Sequence, residues 1–406
     1  MTAVALRMTD RQIEQAISPL RVSEDDELAV DFFAAIAWSV ICEPGDSVAG
    51  RLVKHYGAAQ ALQLELERTD SRIYFAKLFH ESSTSSEAKF AKALDEARQR
   101  WSSRFSMARV LESCATMAAK SAWFVTNQSL SWPVGLDDLD NHAPRGLWGF
   151  GNPNKLANLS KAISFVGSRI ASGYGDEVCQ ELISPLVDRG YSIVSGGAYG
   201  IDSMAHRATE TFGGLTAALM AGGLDRLYPS GNRDLFKRIE DTGLILSEMP
   251  PGAEPTKWRF LQRNRLIAAL GQATIVVEAN PRSGAVSTAN RAIELDRPLG
   301  AVPGPINSSG SDGCHLLIKE GKAELITCAE DILELVQPGG IKVPSDIPGL
   351  GALETRVLDV IGFGNVHLEM IRAEAGLTNS EVNLGLAGLS LMGMVEQHSG
   401  GWQRKH

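Results

Sequence analysis

The stretch YSIVSGGAYGID, Tyr191 to Asp202, decides the fold. A short apolar run ends in a turn with glycines at 196, 197 and 200, and a helix is predicted to open near Asp202. Runs this short, with almost no polar interior, suit strands buried on both faces. The glycines let the turn's amides point into one concavity at a helix N-terminus, a geometry that suits an anion. Outward from this stretch the same unit repeats between about Ala162 and Val336, where ISFVG, LTAALMAGG, LILSEMP, ATIVVEAN, PLGAVPG and ELIT alternate with amphipathic helices. The alternation predicts a doubly wound, mostly parallel α/β sheet, with ligands outside the carboxyl ends of its strands. The turn is not G-x-G-x-x-G, and no acid stands about 20 residues on in a ribose-binding role. No cofactor is therefore expected.

The other strand-end turns carry their own chemistry. Gly167-Ser168-Arg169 combines a close backbone approach, a hydroxyl and a guanidinium suited to phosphate. Ser283, Gly284 and Thr288 open another helix with hydroxyl donors. Asp202 reads either as a helix cap or as a group facing the site. Tyr228, before Pro229, reads either as a ring for a base or as a buried structural tyrosine. The stretch TKWRFLQRNRLIAALGQ places Lys257, Arg259, Arg263 and Arg265 within nine residues, Asn264 among them, in a chain of net charge −9. Like charges so placed repel unless solvent or a polyanion offsets them. A helix beginning near Arg263 would bring its dipole and these cations to one point. Trp258 and Phe260 alternate with the cations, as suits a single strand whose bases stack while its phosphates pair; core or dimer contact is the other reading of the rings.

A chain of 406 residues is long enough for two or three domains. Residues 1–110 read as helical, with a helix–Gly57–helix hairpin at 49–62 that suits either nucleic-acid or protein contact, or plain packing. The sheet segment, with its preceding connection and one strand around Gly146 to Gly149, covers 111–338. A Pro/Gly-rich linker, QPGGIKVPSDIPGLGALE, then leads to 350–406, whose helix, helix, helix, strand-pair order is that of a winged helix. From Asp346 onward this segment holds seven acids and four bases, and its recognition helix, Asn379 to Leu391, has one acid and no base. A DNA-reading helix should present cations, so this module is expected to meet protein, or nothing, rather than DNA. Five scattered cysteines with no C-x-x-C spacing argue for reduced thiols in a cytoplasm and against a zinc site. No signal peptide or membrane-length apolar run is read.

Taken in order, GSR, SGGAYGID, GGLDRLYP, SEMPPG, RNRLIAAL, SGAVSTA and AVPG resemble the DNA-processing protein A family (DprA, also called Smf), over roughly Leu147 to Val336. The resemblance implies an extended Rossmann-like domain flanked by an N-terminal helical, SAM-like or helix-hairpin-helix domain and a C-terminal winged helix. It implies binding and protection of single-stranded DNA without catalysis, loading of the RecA recombinase in natural transformation, and a homodimer formed through the Rossmann-like domain. Arg169, Lys257, Arg263 and Arg265 then look like phosphate contacts, and Gly167, Ser168, Gly196, Gly197, Ser283 and Gly284 like lining of the same pocket. The family usually has Phe-Pro before x-Arg-Asn-Arg; here Phe260-Leu261 should loosen that turn. A nucleotide-binding protein, or a nucleotide phosphoribohydrolase with a similar sheet, is the alternative, but the hydrolase's catalytic Glu position is held by Arg291.

Overall fold

The apolar runs of the central segment form one nine-stranded sheet in a computed structural model that describes residues 8–22, 27–70, 84–337, 350–361, 365–398 and 400–405. Its strands are β1 (Trp123–Val125), β2 (Leu147–Gly151), β3 (Ala162–Gly167), β4 (Ser192–Ser195), β5 (Thr216–Met220), β6 (Leu244–Ser247), β7 (Ala273–Val277), β8 (Leu299–Ala301) and β9 (Glu324–Leu325). They lie in the order β1-β2-β6-β5-β4-β3-β7-β8-β9. All pairs from β6 to β9 are parallel, whereas β2 joins β6, and β1 joins β2, antiparallel. From β3 the chain winds outward through β4, β5 and β6, then crosses back to β7 on the other side of β3. The topological switch point therefore falls between β3 and β7, where open α/β sheets bind ligands. Every residue of β4 through β8 is buried, which is why their sequences run apolar without alternation.

Among the described residues, six α-helices precede the parallel strands: α1 (Asp10–Ile17), α2 (Ala29–Ile41), α3 (Ser47–Tyr56), α4 (Ala58–Leu66), α5 (Thr84–Ser102) and α6 (Met107–Ala118). Helix α2 is buried at every position from Phe32 to Ile41, so it has no polar face to expose and forms the centre of this group. Its Phe32 meets Phe124 of β1 edge-on at 5.6 Å, and Phe124 meets Trp148 of β2 at 4.7 Å. Helices and sheet thus share a core, and Met1–Pro338 forms one compact unit, with Gly339–His406 as the second. Gly57, at φ 78°, separates α3 from α4, and the amide of Ala59 at the start of α4 donates to Asp31 Oδ1 at 3.1 Å. A carboxylate of α2 therefore meets the amide that a hairpin of this kind would offer to phosphate.

Around the parallel strands lie α7 (Gly173–Asp188), α8 (Ile201–Thr211), α9 (Arg233–Thr242), α10 (Lys257–Leu270), α11 (Gly284–Glu294), α12 (Asp312–Lys319) and α13 (Ala329–Val336). The second unit comprises α14 (Ala352–Val360), α15 (Leu368–Ala375), α16 (Asn379–Leu391) and the antiparallel hairpin of β10 (Val395–His398) and β11 (Gly401–Arg404). Val357, Ile371, Leu386 and Leu389 form its core, and a capping box between Thr378 and Glu381 starts α16. This is the winged-helix order. The outward positions Asn383, Leu384, Ala387 and Leu391 of α16 carry no cation. Most of the linker, 338–349, and the wing residue Ser399 lie outside the described residues. Among the described residues no helix is long and apolar enough to cross a membrane, and no group of three or more His, Cys, Asp or Glu could hold a metal.

Candidate nucleic-acid interface

The end of β3 shapes the first wall of the site. A Cβ at Gly167 would collide with the carbonyl of Val277 and the side chain of Ile201, so only glycine lets β3 and β7 finish this close together. Ser168 then donates its amide to the carbonyl of Glu278 at 2.7 Å and accepts the amide of Ile201 at 3.0 Å. Its hydroxyl serves the loop itself, donating to the Ile170 carbonyl at 2.8 Å and accepting the Ile170 amide at 3.1 Å. Glu278 adopts φ 54°, a conformation that a non-glycine residue holds only when its surroundings fix it. Its carboxylate accepts the Ser172 amide at 2.9 Å and the Ser172 hydroxyl at 2.6 Å. Clamped at both ends, the loop holds Arg169 outward. Arg169 is exposed, its guanidinium lies 5.2 Å from the Phe260 ring centre, and it has no ion pair among the described residues.

The second wall is the turn after β4. Gly196 is buried, and its carbonyl accepts from Arg263 Nη1 at 2.6 Å, while the same nitrogen also donates to the Leu219 carbonyl. A Cβ on Gly196 would stand 2.6 Å from both Arg263 Nη2 and Asp202 Oδ2. Burial lowers the Arg263 pKa to about 10, with Asp202 opposing and Arg169 adding to the shift. Burial raises Asp202 above its ordinary range against the pull of Arg263 and the Ala198 amide, which donates to it at 3.2 Å. Gly200 is the N-cap of α8, so Asp202 lies in the first turn and ties back the glycine loop instead of capping the helix. Asn232, which no sequence pattern singles out, donates to the Gly197 carbonyl at 3.0 Å and to Ser203 Oγ at 2.8 Å.

Helix α10 corrects one expectation. It begins at Lys257, capped by Thr256, six residues before Arg263, so its cations run along the helix and do not meet at its entrance. Lys257 is exposed. Arg259 reaches Glu43 through Nε at 3.1 Å and Nη2 at 2.7 Å. Arg104 joins the same carboxylate; burial would raise Glu43, but these two arginines hold it below its ordinary value. Arg265 is buried and donates through Nη2 to both Glu248 oxygens, at 2.8 and 2.7 Å. The four cations therefore point to separate places, with Arg259 and Arg265 occupied by carboxylates. A second correction concerns Phe260-Leu261, which lie inside α10: there is no turn to loosen, and leucine supplies a helical amide that proline would lack.

At the end of β7, Ser283 caps α11, accepting the Val286 amide at 3.4 Å, and Gly284 faces open space. Asn264 Nδ2 donates to the Gly284 carbonyl at 3.3 Å, and the buried Thr288 hydroxyl is turned to the same carbonyl at 3.4 Å. Across the mouth, Tyr228 is half exposed and meets Phe260 edge-on at 5.9 Å. A narrow cleft runs between Tyr228, Phe260, Arg263, Gly196 and the exposed Arg226. Sequence reasoning passed over Arg226 although it lies in the GGLDRLYP turn. Glu43 lies 216 residues from Arg259, out of reach of any local pattern, and Glu248, 17 residues before Arg265, meets it only through the folded turn after β6.

The sheet order, the switch point and the clamped turns bring Gly167, Ser168, Arg169, Gly196, Gly197 and Arg263 together, with Ser283, Gly284, Asn264 and Thr288 at the neighbouring strand end. The DNA recombination-mediator protein A family model matches residues 123–337, and the DprA winged helix domain model matches 342–401. A relative from Mycobacterium tuberculosis is 42% identical over 271 residues, covering 64% of this chain and 69% of its own. Protein Smf of Escherichia coli is 35% identical over 272 residues, covering 64% of this chain and 72% of its own. The X-ray structure of DNA processing protein A from Streptococcus pneumoniae matches with a TM-score of 0.52 at 32% identity, over 66% of this chain and 92% of that one. With motif order, sheet and winged helix all in agreement with these matches, the chain belongs to the DNA recombination-mediator protein A family.

Proposed function

We propose that this protein binds single-stranded DNA at the carboxyl ends of β3, β4 and β7, by its phosphate backbone and without catalysis. The observation that carries the reading is Arg169: an exposed guanidinium with no ion pair among the described residues, held over Phe260 by a loop clamped from below. Arg226 and Lys257 are likewise exposed and form no ion pair among the described residues. Phosphates would lie along these cations, and Phe260 and Tyr228 offer ring faces and edges to unstacked bases. Arg263 sets the shape of the turn beneath the strand. The carboxylates nearest the site are engaged, Asp202 with the Ala198 amide and Glu278 with Ser172, which supports binding over hydrolysis. Protection of the strand, its transfer to RecA, a homodimer and a cytoplasmic setting complete the proposal; membership of a recombination-mediator family supports the transfer step.

The test is fluorescence anisotropy of labelled poly-dT and of duplex DNA over a range of salt, with wild type, Arg169→Ala and Arg226→Ala. Three cations neutralising phosphates should give a log–log salt slope of roughly −2 for a single strand. Each variant should weaken poly-dT binding and reduce that slope. A salt-insensitive affinity, or equal affinity for duplex and single strand, contradicts the reading.

A further inference from the structure

Helix α10 has a second working face. Trp258, Gln262 and Arg265 follow at i, i+4 and i+7 and so share one side, while Phe260 and Arg263 share another. Lys257, one residue before Trp258 and three before Phe260, lies between the two. The Trp258 side borders an open cleft of about 610 Å³ between the loop that starts α3, the segment around His142, and α11. That volume falls within the range of small-molecule sites. Trp258 is 57% exposed on its wall, although an aromatic ring this large gains by burial. At the cleft's floor the buried Arg265 leaves Nε and Nη1 without hydrogen-bond partners.

The charge of this cleft selects its occupant. Its acids are already matched: Glu43 by Arg259 at 2.7 Å, Asp46 by Arg100 at 3.7 Å, Asp138 by Arg297 at 2.6 Å and Glu294 by Arg291 at 2.6 Å. A lining that balances its own charges gives a phosphate no net attraction. It suits a neutral planar group that can stack on Trp258 and bond at its edges to Gln262. We propose that the cleft receives one unpaired base of a strand whose phosphates lie at the strand-end site and cross the start of α10 at Lys257. The proposal rests on the single-strand reading above and adds to it a base subsite on the far side of the helix.

The experiment uses the full chain with two probes of equal length, oligo-dT and an abasic deoxyribose-phosphate oligomer, against wild type, Trp258→Ala, Trp258→Phe and Arg169→Ala. Trp258→Ala should lose about fivefold or more in affinity for oligo-dT, the lower end of the effect of a base–aromatic stack, and keep wild-type affinity for the abasic oligomer. Trp258→Phe, which retains a ring, should recover most of the loss. If Trp258→Ala matches wild type on both probes, or weakens both equally, the base subsite is wrong. If Arg169→Ala binds oligo-dT as wild type does, the strand-end site itself fails, an outcome read independently of Trp258.

Discussion

Glu278 and His206 are buried titratable side chains, the first shaping the site and the second the stability of the fold. Glu278 spends its carboxylate on Ser172 and its carbonyl on Ser168, so one left-handed residue fixes both ends of the loop that presents Arg169. His206, in α8, is fully enclosed; burial, assisted by the nearby Arg263, lowers its pKa from 6.5 to about 3. The sign follows from linkage. Above pH 6.5 the ring is neutral in both states and costs nothing. Below that, the unfolded chain takes a proton that the folded chain refuses, so stability is lost as pH falls towards about 3. At pH 5 the loss from this group is roughly 2 kcal/mol. Urea unfolding at pH 7 and pH 5 should show it, and His206→Gln should flatten the difference between the two.

At the scale of elements, α10 carries the heaviest electrostatic duty. Arg265 and Glu248 have side chains only 5% and 12% exposed, so removing one partner strands the other charge in a dry setting. Glu248→Ala should cost about 3–5 kcal/mol, whereas a double change to Glu248→Leu and Arg265→Met should recover most of it. Thermal melts would measure both. The same helix marks where the sequence was legible. The strands from β3 to β8 could be read because burial on both faces leaves short, continuous apolar runs. Strand β1, three residues long and antiparallel at the sheet's edge, offers too little pattern to be read. The start of α10 is hidden because Lys-Trp-Arg-Phe has no apolar period, and its only local mark is the cap at Thr256. The glycine turns and Arg169 could be read locally. That Arg259 and Arg265 turn away could not, since Glu43 comes from a segment 216 residues away and Glu248, though only 17 residues back, is brought to Arg265 by the tertiary fold and by no periodic spacing.

Across the whole molecule, the sheet unit holds every residue proposed to touch the strand, while the second unit presents a recognition helix with no cation. Removal of residues 339–406 should therefore leave poly-dT affinity within about twofold of wild type, since phosphate contacts dominate such binding. A large loss would place part of the nucleic-acid surface on the winged helix. The ion pairs of Arg259 and Arg104 with Glu43 carry a further consequence, for recombination between related genes. A crossover that joins one parent's opening helices to another parent's sheet must inherit a carboxylate at the position of Glu43 along with both arginines, or leave cations unmatched at the seam. A crossover in the stretch leading into the last unit breaks none of these pairs. Hybrids of this family should survive exchange of their tails far more often than exchange of their heads.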